Sequence, residues 1–307
     1  MHEGSKKAIF AAFLANLGIA IAKFIGFLIT GASSMLAESI HSVADTANQG
    51  LLVLGGKQAA RPATPEHPFG YGRDRYFWAF IVAMVLFLVG GLFAIYEGVS
   101  KIRDPHEISS PAVAFAILGV AVVLELFSLR TAMRESRAPK GGLSWVAFIR
   151  RSKSPELPVV LLEDLGALVG LVFALTGLTL TEVTGDAIWD GVATLMIGAL
   201  LVAIAVILVV EMKSLLIGEA ASTEHQAEIQ AAIEGTPDVR GLIHMKTLHL
   251  GPDELLVAAK IDLGPDLDAT HIARTIDAAE ARVRAAVPIA KVIYLEPDLR
   301  DPAPEVA

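Results

Sequence analysis

The sequence predicts an α-helical membrane protein: six transmembrane helices followed by a cytoplasmic α+β domain of α-β-β-α-β order, ferredoxin-like in type. Three observations predict it. The 307 residues are 54% hydrophobic, with a mean hydropathy of +0.57, too apolar for one soluble domain. Six apolar segments each approach the roughly 20 residues that cross a hydrocarbon core of about 30 Å. Beyond residue 210 the pattern turns amphipathic and acidic, which sets the expected domains at 1–210 and 211–307, with a disordered tail after about 299.

The first segment, 8–30, follows Met1-His2-Glu3-Gly4-Ser5-Lys6-Lys7. It has no clear small-residue cleavage site and further spans follow, so it reads as a retained helix rather than a signal peptide. Gly31-Ala32-Ser33 then allows only a tight turn, making the second segment, 34–59, an antiparallel neighbour of the first. The loop that follows, 62–73, is rich in proline and glycine and cannot be regular helix. Segments 76–102 and 111–133 come next. A basic stretch, 134–157, holds Trp145 and Phe148 and suits a loop with a short interfacial helix. Segments 158–181 and 187–210 complete the set. Asp186 and Asp190, at the start of the last, read as its N-cap or first-turn carboxylates.

Loop charges set the orientation. With the N-terminus inside, the cytoplasmic segments hold twelve Lys and Arg against two outside, Lys101 and Arg103. Both termini are therefore expected in the cytoplasm, with the multi-pass chain in a cell inner membrane. In the C-terminal part, 222–234 reads as a helix capped by Ser222 or Thr223. Segments 239–250 and 254–263 read as a hairpin about Gly251-Pro252-Asp253. A helix over 268–286 and a strand over 290–295 complete a small domain with its helices on one face of a sheet. From residue 211 onward there are 17 acidic and 9 basic residues, so this domain carries the whole net charge of −8. No basic face is left for nucleic acid.

The chain has no cysteine, which excludes disulfides, thiolate ligands and cysteine nucleophiles. A transition-metal site must therefore use histidine, carboxylates or amides. The second segment offers them. His41 and Asp45 are four residues apart and share one helix face, with Glu38 and Asn48 on the turns beside them. An ionised Asp at membrane depth costs about 2.5–3.5 kcal/mol, so such groups face a bundle interior and mark an ion path. The alternative is a buried hydrogen-bonded pair that only holds helices together. The fifth segment adds Glu163 and Asp164, adjacent carboxylates pointing about 100° apart, able to face one cavity only at its edges. Gly166 and Gly170 there permit close helix approach. His41, Asp45, Asp164 and Glu163 thus form a candidate N/O site for Zn²⁺.

Other residues keep two readings. Glu66 and His67 are either metal ligands or part of a solvated loop whose aromatic residues pack on the membrane rim. Glu125 either carries protons or bonds a neighbouring helix. Glu97 reads as interfacial and Asn16 as a packing contact. His244, His249 and His271 lack tight ligand spacing and read as surface or partly buried groups.

The stretches Ser33-Ser34-Met35-Leu36-Ala37-Glu38-Ser39-Ile40-His41-Ser42-Val43-Ala44-Asp45, His67-Pro68-Phe69-Gly70-Tyr71-Gly72 and Glu163-Asp164 resemble the cation diffusion facilitator family of divalent-metal transporters. The likeness covers about residues 8–298. With Leu162-Glu163-Asp164 in the fifth span, the chain looks like the zinc-transporter branch. The resemblance implies a homodimer in the bilayer working by alternating access, with metal efflux from the cytoplasm coupled to proton influx. Relatives place His or Asp where Val160 stands and a second loop His where Tyr71 stands. Either Glu163 replaces the missing ligand or the site has three protein ligands plus water. His271 matches a metal-binding position of some relatives, but Ile243, Lys260 and Leu295 fill the others, so a multi-zinc dimer site is not expected there. Secondary metal candidates are Glu38, Glu66, His67 and His271, and Glu125 is the proton-path candidate.

The leading expectation is a proton-coupled Zn²⁺ transporter with no enzymatic activity and no organic cofactor. Mn²⁺, Fe²⁺, Co²⁺ or Ni²⁺ are alternative cargoes, since one histidine among several carboxylates does not settle the metal. An intramembrane zinc hydrolase built on His41, Asp45 and Asp164 is a different class, weakened by the lack of a His-Glu-x-x-His motif. A metal-sensing membrane protein that binds without flux is a third.

Overall fold

Apolar residues without strand periodicity fill the first two thirds of the chain, and they fold as helices. The structure, a computed structural model, describes residues 3–299, with side chains from residue 16 onward. The side chains of Lys6 and Lys7 and the expected tail beyond 299 lie outside that description. Two compact units emerge: one takes the chain up to Lys57 and Tyr76–Lys213, the other Gln58–Arg75 and the residues from Ser214 on.

The helical unit contains α1 (Glu3–Thr30), α2 (Ser33–Ala59), α3 (Asp74–Val85), α4 (Phe93–Arg103), α5 (Pro111–Lys140), the short α6 (Trp145–Arg151), α7 (Glu156–Thr184) and most of α8 (Ile188–Ile217). A π-helical segment, Leu86–Leu92, joins α3 and α4 into one helix, Asp74–Arg103. The long helices have 27–30 residues, about 40–45 Å at 1.5 Å per residue. Among the described residues four are long and apolar enough to cross a membrane: Asp74–Arg103, α5, α7 and α8. This differs from the six apolar spans expected. Helix α2 has the length but is diluted by Glu38, His41, Asp45, Asn48 and several hydroxyl residues. In α1 the apolar stretch within the described side chains is Asn16–Thr30.

The unit is apolar outside and partly polar within. Phe127, Val183 and Val120 stand exposed, whereas Lys23, Glu38, His41, Lys101, Glu163 and Asp190 are buried. That distribution suits a hydrocarbon solvent. Glycines let the Asp74–Arg103 helix and α8 meet backbone to backbone: a Cβ on Gly98 would lie 2.9 Å from the Gly191 carbonyl, and one on Gly198 3.0 Å from that of Gly91. Gly31 turns α1 into α2 with φ +69°, the left-handed region that glycine enters at no steric cost.

One expectation is corrected and another extended. Residues 134–140 are not loop but the end of α5, where Arg137 and Lys140 suit the negative end of the helix dipole. The short helix is present as α6, capped by Ser144, whose hydroxyl accepts the Ala147 N–H at 3.1 Å, and anchored by buried Phe148 against Ala132 and Leu161. Asp190 does stand in the first turn of α8, as expected, but its carboxylate serves another helix. It is fully buried and caps α2 instead, accepting the Ser33 N–H at 2.7 Å and the Ser34 N–H at 3.2 Å. Asp186 does accept the Ile188 N–H, at 3.0 Å, at the start of α8.

The second unit is an α+β domain. It comprises α9 (Thr223–Glu234), β1 (Val239–Gly251), β2 (Glu254–Leu263), α10 (Ala269–Ala286) and β3 (Ala290–Asp298). The sheet order is β1-β2-β3, with β1–β2 antiparallel and β2–β3 parallel across α10. Strict alternation in β2 sends Leu255, Val257, Ala259, Ile261 and Leu263 into a core shared with Ile229 and Ile233 of α9 and Ala279 and Val283 of α10. Loop 58–75 belongs to this unit. Arg61 lies 4.0 Å over the Tyr71 ring, Arg75 pairs with Asp253 at 3.0 Å, and Gly72 abuts the Leu250–Gly251 backbone so closely that a Cβ would clash.

Candidate metal centre

Helix α2 brings Glu38, His41, Asp45 and Asn48 to its inner face because they recur at three and four residues. Glu38, His41 and Asn48 are buried and Asp45 is 17% exposed. Helix α7 brings Glu163 and Asp164. The 100° between them sends them to different neighbours: Asn48 Nδ2 donates to Glu163 Oε1 at 2.6 Å, and Ser128 Oγ of α5 donates to Asp164 Oδ2 at 3.0 Å. The two carboxylates thus border one cavity while each is held by a different neighbour. Gly166 and Gly170 of α7 lie against α8, near Ile204 and Ile197, and Gly170 also meets the Glu38 carboxylate.

The cavity is lined by Asn16, Ser42, Asp45, Glu125, Glu163 and Asp164, among others, and offers about 20 Å³. That is room for one water or one bare ion. The structure therefore brings together Asp45, Glu163, Asp164 and Glu125. His41 adjoins through Asp45, with Nδ1 3.4 Å from Oδ1 but without hydrogen-bond geometry. Among the described residues, both His41 ring nitrogens, Asp45 Oδ1, Asn48 Oδ1 and Glu38 Oε1 are buried with no hydrogen-bond partner. Burying such atoms is costly unless something bonds them. Among the described residues no three His, Asp or Glu side chains are already gathered at metal-binding distance. Of the residues with unpartnered atoms, Asp45 lines the cavity, and a metal held at about 2.0–2.2 Å would need the donors to draw together.

The secondary candidates stand apart. Glu38 Oε2 accepts from Lys23 Nζ at 3.0 Å. Glu66 and His67 are exposed, and His67 meets the Tyr71 ring edge-on at 4.6 Å. His271 is exposed and its N–H is capped by Asp268 at 2.8 Å. His244 is exposed, whereas His249 is buried with Nδ1 3.3 Å from the Gly251 carbonyl. Glu97 accepts from Ser33 Oγ at 2.8 Å.

Sequence reasoning passed over Lys23, Ser42 and Ser128. Lys23 is fully buried in α1 and donates to Glu38 and, at 2.9 Å, to Ser42 Oγ. The rule that exposed Asp45 would have exposed it too, since it is a lone charge in an apolar run. The two serines carry no such signal.

The chain is similar to known proteins over most of its length. The family model described as the cation efflux transmembrane domain matches residues 9–217. The mitochondrial proton-coupled zinc antiporter SLC30A9 of Homo sapiens is 32% identical over 262 residues, 85% of this chain and 46% of that protein. Metal tolerance protein C4 of Arabidopsis thaliana is 28% identical over 262 residues, 85% of this chain and 57% of its own. Magnetosome protein MamB of Paramagnetospirillum magneticum is 25% identical over 305 residues, 98% and 96% of the two chains. The chain spans about half the length of the zinc antiporter and metal tolerance relatives it matches. With the family model matched over that range and this identity to SLC30A9, the chain belongs to the cation efflux family, the cation diffusion facilitators.

Proposed function

We propose that this chain transports a divalent metal ion, with Zn²⁺ as cargo, in exchange for protons by alternating access. One observation carries the reading: the orphaned donor atoms of His41 and Asp45 sit beside a cavity lined by Asp45, Glu163, Asp164 and Glu125. The names of relatives support zinc and proton coupling. Zinc takes imidazole and carboxylate donors, which must be deprotonated, so metal and protons compete for the same atoms. In this reading His41, Asp45 and Asp164 bind the ion, Glu163 is a fourth ligand or holds α7 to α2 through Asn48, and Glu125 passes protons. A state open to one side loads metal; a state open to the other exchanges it for protons.

The same proposal takes α1 and α2 as spans beside the four apolar ones, giving six. It places both termini in the cytoplasm on the loop-charge asymmetry, sets the domains at 1–210 and 211–307, and expects a homodimer in a cell inner membrane. Four carboxylates and one histidine also suit Mn²⁺, the second cargo to test. Flux in proteoliposomes across Zn²⁺, Mn²⁺, Fe²⁺, Co²⁺ and Ni²⁺, with and without a pH gradient, tests it. Zn²⁺ flux that responds to the gradient and vanishes in Asp45→Ala and Asp164→Ala is expected. Undiminished flux in either variant removes that residue from the site; no flux of any metal overturns the transport reading.

A further inference from the structure

We propose that Lys23 is a selectivity-determining residue of the intramembrane site, acting by holding Glu38 out of the metal's reach. This rests on the reading of that site as a metal carrier. Glu38 and His41 are three residues apart on α2, and a Glu-x-x-His pair facing a bundle interior is a spacing that ligates metals in helical proteins. Left to itself, Glu38 is therefore a donor one turn from His41. It is not left to itself. Lys23 Nζ of α1 donates to Glu38 Oε2 at 3.0 Å and to Ser42 Oγ at 2.9 Å, with both charged side chains fully buried.

The groove side of the ammonium offers no alternative to Glu38 and Ser42. The groove on its other side, about 510 Å³ between α1 and α5, is lined by Gly18, Ile19, Ile117 and Leu124 among others and gives it no polar group. Glu38 Oε1 is turned against Gly170 of α7 with no hydrogen-bond partner. Ser42, the second acceptor, lines the carboxylate cavity itself. The pair thus stands one hydroxyl from the site, subtracting a hard oxygen donor from it. Stability alone is a weak reason to keep a buried ion pair, because well-packed apolar replacements are often as stable.

The consequence is chemical. Imidazole with few carboxylates suits four-coordinate Zn²⁺, whereas each added carboxylate moves a site toward Mn²⁺. Zn²⁺ and Mn²⁺ binding is measured calorimetrically on the full chain in lipid nanodiscs at one pH. Lys23→Met frees Glu38 and is expected to shift the Mn²⁺-to-Zn²⁺ affinity ratio toward Mn²⁺ by about tenfold or more, the scale on which shell changes act. Lys23→Met with Glu38→Gln removes the freed donor and returns the ratio to wild type, and Lys23→Arg keeps it there. The double variant removes both buried charges together, so its Zn²⁺ affinity, expected unchanged, is a readout that stands even if Lys23→Met fails to fold. An unmoved ratio in Lys23→Met, a shift that persists in the double variant, or a loss of Zn²⁺ affinity in the double variant overturns the proposal while leaving the carrier reading intact. Wild-type protein that binds neither metal overturns both.

Discussion

Lys101 and Lys23 are both buried ammonium groups in the helical unit, and their surroundings differ in one respect. Lys101 belongs to a network at the α1–α2 turn. It donates to the His106 carbonyl at 2.7 Å and the Gly31 carbonyl at 3.4 Å, and stands 3.9 Å from Asp190 Oδ2. Asp190 in turn accepts from Ser33 N, Ser34 N and the Ser34 hydroxyl, and Ser33 Oγ donates to Glu97. Asp190 therefore satisfies two of the N–H groups that the start of α2 leaves open and sets a negative charge at its positive end. Among the described residues, no side-chain atom of this network is buried without a partner, whereas around Lys23 five atoms of Glu38, His41, Asp45 and Asn48 are. Both networks pay to bury charge. Only the first is completed by the protein's own atoms, so the first explains itself as architecture and the second asks for a ligand.

The contrast is tested hardest at Asp190. Asp190→Ala strands a buried ammonium and two backbone donors, and is expected to cost about 3–5 kcal/mol, as removal of one partner of a buried pair does. Denaturant unfolding of the helical unit in detergent measures it. A variant with full stability and altered transport would move Asp190 to the functional side of the comparison. Asp45→Asn is the opposite case. It neutralises a carboxylate whose buried Oδ1 has no hydrogen-bond partner, so stability is expected to change by less than about 1 kcal/mol while metal binding is lost.

Metal sharpens the same point. A ligand bound only by the folded state adds about 2.7 kcal/mol of stability at a hundred times its Kd. Zn²⁺ is expected to raise the unfolding free energy of wild type on that scale, to do so equally in Lys101→Met if enough of it folds, and not to do so in Asp45→Asn. Equal zinc stabilisation of Asp45→Asn would show that the orphaned atoms are not where the ion binds.

How much of this was legible in the sequence follows from what each feature depends on. The hairpin about Gly251-Pro252-Asp253 and the helix start at Ser222 or Thr223 depend on neighbours in sequence, and they read directly. So did the inward face of α2, because 3.6-residue periodicity groups Glu38, His41 and Asp45 before any partner is known. Asp190 read correctly as a first-turn carboxylate of α8, but its capping of α2 was hidden because those partners are 156 and 157 residues away. The pairing of Asn48 with Glu163 and of Ser128 with Asp164 was hidden for the same reason. The π-helical segment around Gly90 and Gly91 left no sign either; its position coincides with the close approach to α8. Lys23 was legible as a charge, but its effect on Glu38 needed the third dimension.

The smallest effect is expected in the α+β domain, where charges meet on the open face of the sheet. Lys260 donates to Asp298 at 2.8 Å and pairs with Glu296 at 3.2 Å. The hydrogen bond from Lys260 holds the Asp298 carboxyl below its ordinary 3.8, and the bond to Asp298 raises the Lys260 ammonium above its ordinary 10.5. A lowered acid stabilises the fold above its ordinary pKa and loses that contribution as pH falls through the folded value. A raised base stabilises it below its ordinary pKa and loses that as pH rises through the folded value. The pair is therefore in place across the neutral range. Lys260→Met should return the Asp298 carboxyl toward its ordinary pKa in an NMR titration of the full chain. Its effect on the unfolding midpoint should be small at neutral pH and vanish in about 1 M salt, where the screening length is about 3 Å. Buried charge in the helical unit has no such escape into solvent. A salt-insensitive loss on Lys260→Met, comparable with that of Asp190→Ala, would mean that the sheet's open face is covered in the working protein and that the two units handle charge alike.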